Sequence, residues 1–180
     1  EGNLLGFRLI PGSDGSVEVD LSDRTLKRAH ARIRELTPRN WGGRIEWCLD
    51  RLNRYFTGWF GFFGVCTKVA RHRLKELDGR ARRRVRAIQL RQWKRKRTIV
   101  RKLNRMKYSK KVGHHVYRGR RGWWDLSGTG VVSHRLNTTW MRERGLEPLL
   151  DRHIDRVLDM VAPVQSGPVA QLCLWDGLRS

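Results

Sequence analysis

Asp151, Asp155 and Asp159 recur at i, i+4 spacing, which aligns three carboxylates on one face of a helix. Metal-dependent polymerases and nucleases hold divalent ions with clustered carboxylates, so this series is the natural candidate for such chemistry. Arg152 and Arg156 are interleaved with it and offer a simpler role, ion pairing on a solvated helix. The remaining close acids, Asp14/Glu18/Asp20 and Glu76/Asp78, form no better ligand set. His114 and His115 lie among basic residues and glycine with neither an acidic neighbour nor a Cys/His frame for zinc. Phosphate contact or plain exposure is therefore expected there, not nuclease chemistry. Cys48, Cys66 and Cys173 share no metal-ligand spacing and read as small buried residues of a reduced compartment. No Gly-Lys-Ser/Thr phosphate loop and no Gly-x-Ser-x-Gly elbow occurs. No catalytic residue, metal or cofactor is assigned, and the chain by itself is not expected to be an enzyme.

The charge points elsewhere. Thirty-nine Lys and Arg against 17 Asp and Glu give a net +22, and arginine far outnumbers lysine. Between Lys68 and Arg121 there are 23 bases and two acids, Glu76 and Asp78, whereas the rest of the chain is nearly balanced. Such density is self-repelling unless a polyanion relieves it, and arginine's planar fork suits phosphate and base stacking. Within the run, Leu74, Leu77, Ala81, Val85, Ile88, Ile99, Leu103 and Met106 recur in steps of three and four, so helices and not a disordered tail should carry the charge. The bases expected to face RNA phosphates are Arg82, Arg83, Arg86, Arg91, Lys94, Arg95, Lys96, Arg97, Arg101, Lys102 and Arg105. Lys110, Lys111, Arg118, Arg120 and Arg121 extend that surface. Trp123 and Trp124 either stack on an unpaired base or pack against the bundle.

The elements that position these groups can be read along the chain. Leu4 to Ile10 and Ser16 to Leu21 are β-type runs joined by Pro-Gly-Ser-Asp-Gly, a hairpin signature. Ser22 or Asp23 caps a helix with Leu26, Ala29, Ile33 and Leu36 on one face, stopped at Thr37-Pro38. Ile45, Leu49, Leu52, Phe56, Phe60 and Phe63 form the most regular stripe, widened by Tyr55 and Trp59 and read as core. Gly58, Gly61 and Gly64 within it imply close helix packing. A break at Asp78-Gly79 should separate a helix from Val69 to Leu77 from another spanning Arg80 to Lys94. Further helices are expected at Thr98 to Met106, Thr138 to Arg144 and Glu147 to Met160, with a glycine-rich basic stretch between Tyr108 and Gly130.

Hydrophobic residues, 39%, suffice for a core over 180 residues, and no run approaches the ~20 apolar residues that span a bilayer. The opening Glu1-Gly-Asn has no basic signal-peptide region and no initiator Met, so a fragment or a product cut from something longer is expected, with a cytoplasmic location as the default.

Seven motifs occur in one order: Leu4-Leu-Gly-Phe-Arg, Leu36-Thr-Pro-Arg-Asn, Leu52-Asn-Arg-Tyr-Phe-Thr-Gly-Trp-Phe, Leu77-Asp through Arg82-Arg-Arg-Val-Arg, Gln92-Trp-Lys-Arg-Lys-Arg-Thr, Gly122-Trp-Trp-Asp-Leu-Ser and Arg144-Gly-Leu. In these the sequence closely resembles group II intron reverse transcriptase/maturases, over roughly residues 1–158. The resemblance implies a mainly α fold: a helical bundle, the thumb or domain X, preceded by a short β-hairpin remnant of the reverse-transcriptase palm. It divides the chain into a palm end (1–21), the thumb/maturase bundle (22–107), a basic Gly/Trp-containing part of the maturase domain (108–158) and an unmatched tail (159–180). It also implies structured RNA of a group II intron as partner, bound to assist folding and splicing, and an RNA/DNA template–primer duplex in the full-length family. The Tyr-x-Asp-Asp polymerase motif is absent, so polymerase activity does not carry over. Gly79-Arg-Ala stands where the family pattern leads one to expect an aromatic or apolar pair, implying a looser helix joint. The alternatives are a fragment completing a reverse transcriptase in trans and a non-specific basic nucleic-acid-binding protein. No membrane partner is expected, and no oligomeric state is assigned.

Overall fold

Ser22, at the close of an antiparallel sheet, starts the first helix. Its hydroxyl accepts the Thr25 N–H at 3.2 Å, satisfying one of the donors a helix start leaves unpaired. In this computed structural model, which describes residues 2–12, 15–106, 112–117 and 122–161, that helix is α1, Asp23–Leu36. Its buried face holds Leu26, Ala29, Ile33 and Leu36, and it ends at Thr37. Three strands precede it, β1 (Gly2–Leu4), β2 (Phe7–Pro11) and β3 (Val17–Leu21), in the order β1-β2-β3. The hairpin expected from the sequence is the β2–β3 pair, with Phe7 opposite Leu21. The run from Leu4 to Ile10 is not one strand. It doubles back at Leu5-Gly6, where φ values of 50° and 94° make a left-handed turn and pair Leu4 with Phe7.

Gly6 is held where it is by α1. Its carbonyl accepts the Thr25 hydroxyl at 2.8 Å and the Ser22 N–H at 2.9 Å, and a Cβ there would lie 2.7 Å from the Thr25 Oγ1. The outer edge of β3 is closed by Thr67, which exchanges bonds with the Val19 backbone. Arg73 completes the junction, its guanidinium 2.9 Å from buried Asp20 and 2.6 Å from Asp23. The Arg73 hydrogen bond and charge hold the Asp23 carboxyl below its ordinary pKa.

The bundle behind the sheet follows the apolar periodicity. α2 (Ile45–Phe63) buries Ile45, Cys48, Leu49, Leu52 and Phe56, while Tyr55, Trp59, Phe60 and Phe63 pack at the margin of the core. Cys48 and Cys66 are free buried thiols, pushed by burial up to about 11 and about 12. Cys173 lies outside the described residues. Gly58 and Gly61 do not mark close packing: both are exposed, and a Cβ on either would meet nothing within 4 Å. Only Gly64 meets that expectation, since a Cβ there would come 2.8 Å from the Arg156 guanidinium, which approaches from far along the chain.

The largest departure is α3. After a 3-10 turn at Lys68–Ala70 it runs unbroken as Arg71–Gln92, with no joint at Asp78-Gly79. Asp78 is not a breaker because its carboxylate is used elsewhere: it accepts the N–H groups of Leu149 and Leu150 at 3.0 and 2.9 Å. These are the opening amides of the last described helix, α9 (Leu149–Val161), so α3 caps it from 71 residues away. Burial pushes the Asp78 carboxyl above its ordinary pKa, with the two amide bonds acting in the opposite direction. Gly79 then costs about 1 kcal/mol of helix propensity, which the packing of Leu74, Leu77, Ala81 and Val85 offsets.

Trp93 closes α3 and Lys94 (φ 56°) turns the chain left-handed into α4, Lys96–Arg105. Short helices α5 (Val112–Tyr117), α6 (Trp123–Ser127), α7 (Gly130–Arg135) and α8 (Thr138–Arg142) follow. The fold is mainly α with a small antiparallel sheet at its N-terminal side, as the sequence leads one to expect. The short helices within residues 112–135 are additions to that expectation.

Candidate nucleic-acid interface

α4 exposes the cleanest array of charge. Ile99 and Leu103 are buried and Val100 and Met106 pack against the core, which fixes the helix's roll. Arg97, Arg101 and Arg105, each four residues on, are thereby exposed along its outer face with Asn104 beside them. α5 lies alongside, anchored by buried Val116, and presents Tyr117, 49% exposed. Arg97, Val100, Arg101, Asn104, Arg105 and Tyr117 bound a shallow concavity of about 600 Å³. Among the described residues no carboxylate forms an ion pair with Arg95, Arg97, Arg101 or Arg105. Lys94 and Arg95 are exposed at the α3–α4 turn and Lys96 is half-buried, while the Lys102 ammonium lies 5.3 Å from the Trp93 ring centroid. Guanidinium groups beside a tyrosine can bind phosphates while the ring stacks on a base.

The α3 arginines are placed differently, and here the sequence expectation is corrected. Arg86 does not face solvent: it is buried, donates from Nε to the Arg82 carbonyl at 3.2 Å, and is pushed down to about 10 by burial, with Arg82 and Arg83 adding to the shift. Its position on the helix, beside Val85 and one turn before Leu90, turns it inward. Arg82 and Arg83 are half-buried. Arg83 lies 4.2 Å from the Trp124 ring centroid and donates to the Trp124 carbonyl at 3.5 Å. Arg91 is exposed, with one guanidinium nitrogen donating to the Arg39 carbonyl at 3.0 Å. Trp123 packs against the core, and Trp124 sits between Arg83 and Arg39, the latter 5.9 Å from its ring centroid. Lys110, Lys111, Arg118, Arg120 and Arg121 lie outside the described residues.

Residues not singled out in the sequence complete the picture. Tyr117 and Asn104 have no period to mark them; only their place beside α4's outer face does so. Arg84 looks like one more base in Arg82-Arg-Arg-Val-Arg, yet it ties the end of α1, donating to the Thr37 hydroxyl, to the Thr37 carbonyl at 2.6 Å and to the Arg34 carbonyl at 3.1 Å. A second, larger cleft of about 1220 Å³ opens between the Leu5-Gly6 turn, α1 and α2. Arg24, Arg28 and Arg32 form one wall, and Tyr55, Trp59 and Phe63 the other. Burial pushes the Tyr55 hydroxyl up to about 12, so it is a neutral donor throughout the physiological range.

The carboxylates behave as structural groups. Asp151 pairs with Arg142, not with Arg152 as its spacing suggests, and Arg152 instead reaches Glu147 at 2.9 Å and Asn53 at 2.9 Å. Asp155 is exposed, and the Asp159 side chain is outside the description. Among the described residues no group of three or more His, Cys, Asp or Glu is placed to hold a metal ion. No described helix is long and apolar enough to cross a membrane.

Residues 26–109 match the family model of the group II intron maturase-specific domain, a span that takes in nearly all of α1 through α4. No curated protein matches the chain.

Proposed function

We propose that the chain, whose residues 26–109 match the group II intron maturase-specific domain, binds intron RNA through the α4 surface and assists its folding and splicing. The observation that carries this reading is the file of Arg97, Arg101 and Arg105 on one exposed helix face, beside Tyr117 and without ion-paired carboxylates among the described residues. A folding RNA must bring phosphates close together. Guanidinium groups carried along one helix lower that repulsion, leaving the chemistry of splicing to the RNA itself. Structured RNA is recognised by shape and 2′-hydroxyls as well as by charge, which a rigid helix edge suits better than a flexible tail.

Filter binding of a structured group II intron transcript tests this. If about six to ten phosphates are neutralised, affinity falls by ~10³ to 10⁵ between 50 and 200 mM salt. A flat salt response, or equal affinity for bulk tRNA and duplex DNA, contradicts it, the second outcome favouring a non-specific basic protein.

The cleft between the Leu5-Gly6 turn, α1 and α2 favours a second reading, in which the chain serves as the thumb of a reverse transcriptase whose fingers and palm come from elsewhere. An arginine wall facing an aromatic wall fits a nucleic-acid strand running off a template–primer duplex. Primer extension after mixing the chain with a separate fingers–palm fragment distinguishes the two roles.

A further inference from the structure

A smaller cavity, apart from the α4 groove, lies where the end of α1, the last turns of α3 and the start of α6 meet. It measures about 220 Å³ and is floored by Ala87, Ile88, Trp123 and Trp124, with Arg39 and Arg91 at its margin. Among the described residues no acid lines it. We infer that this cavity receives the base of one unpaired nucleotide of the bound RNA, with the flanking phosphates held by Arg39 and Arg91. The inference rests on the RNA-binding reading and adds to it a second site with a different selectivity.

Three observations converge on a nucleotide. The volume is below the ~300–1,000 Å³ of pockets for drug-sized ligands, so it takes a single ring system and not a duplex. The floor is apolar and aromatic, which suits a flat heterocycle; inorganic phosphate alone would leave it unfilled. The margin is strongly positive: besides burial, the charges of Arg39, Arg34 and Arg80 lower the pKa of Arg84, so these four guanidinium groups share one neighbourhood. An apolar peptide side chain would satisfy the floor and leave that charge unanswered.

The cavity is also preformed. Arg84 is committed to the Thr37 and Arg34 carbonyls, Arg91 braces the Arg39 carbonyl, and Arg83 holds Trp124 by ring contact and hydrogen bond. A base would enter over a floor already ordered, with only the exposed ends of Arg39 and Arg91 left to settle on its phosphates, so little of the stacking energy is lost to rearrangement of the floor.

The test compares two RNA hairpins of equal length, one fully paired and one with a single bulged nucleotide, bound by the intact chain. The parent should bind the bulged hairpin about tenfold more tightly, the scale of one base–aromatic stack. Ala87→Met fills the cavity without changing charge. It should erase the preference while leaving the paired hairpin's affinity and salt dependence unchanged. Arg39→Gln, an exposed change that spares the floor, should reduce the preference severalfold with an unchanged melting temperature, and provides the answer if Ala87→Met fails to fold. Equal binding of both hairpins by the parent, a preference that survives in a folded Ala87→Met, or one left undiminished by Arg39→Gln overturns the inference while leaving RNA binding intact. Failure to bind either hairpin in salt at which the intron transcript binds overturns the inference alone, and failure to bind the transcript as well overturns both readings.

Discussion

α3 and α4 are adjacent, both rich in arginine, and joined by a single left-handed turn at Lys94, yet their charges do different work. Along α3, Arg73 bridges Asp20 and Asp23, Arg84 binds carbonyls at the end of α1, and Arg86 is buried against its own helix. Along α4, Arg97, Arg101 and Arg105 extend outward from a helix whose opposite face is fixed by Ile99 and Leu103. Apart from exposed Arg91 near its end, α3 uses these guanidinium groups as multi-pronged donors to hold the fold; α4 is held by apolar packing and leaves its guanidinium groups exposed. Arginine density alone therefore does not mark a binding surface. What marks it is an array of donors that no described residue satisfies.

Substitutions in the two helices should separate along that line. The largest effect on stability is expected at Asp78, the one α3 carboxylate that caps α9. Asp78→Ala leaves two amides without partners and should cost about 3 kcal/mol, whereas Asp78→Asn, which retains one acceptor oxygen, should cost less. Thermal melts of the two variants would show the ranking, and equal losses would mean that the carboxylate's charge matters more than its hydrogen bonds. Arg84→Ala should follow at about 2 kcal/mol, a fall of roughly 4–8 °C in Tm for a chain of this size. Its affinity for RNA, measured well below the melt, should stay near the parent's. If Arg84→Ala weakens RNA binding with no loss of Tm, the division between the helices fails on the α3 side. The smallest effect lies next to α4: Tyr117→Ala should leave Tm unchanged and reduce RNA affinity about fivefold, the loss of one weak stack. No change in affinity would restrict the groove's role to phosphate contact.

Much of this division was legible in the sequence and some was not, for physical reasons. The α1 cap at Ser22, its end at Thr37 and the stripe from Ile45 to Phe56 depend on local periodicity and local hydrogen bonds, and they stand as read. The continuity of α3 depends on partners far along the chain. Asp78-Gly79 looks like a break until Leu149 and Leu150 are seen to need a carboxylate there. For the same reason Arg84 and Arg86 could not be distinguished from exposed neighbours: their acceptors on α1, or their depth in the bundle, are facts of packing. The helices within residues 112–135 run to only five or six residues, too short for a hydrophobic period to emerge, so the position of Tyr117 beside α4 was out of reach. Gly58 and Gly61 show the converse, since residues that imply close contact instead leave open surface on α2.

The most direct measurement is the salt dependence of intron RNA binding for the parent and for Arg97→Gln/Arg101→Gln/Arg105→Gln, with melting curves recorded alongside. If α4 meets the phosphates, the triple variant keeps its melting temperature, and the slope of log affinity against log salt becomes shallower by about three. An unchanged slope with lower affinity, or a slope change that appears only together with unfolding, would show that these arginines are not the RNA-facing set.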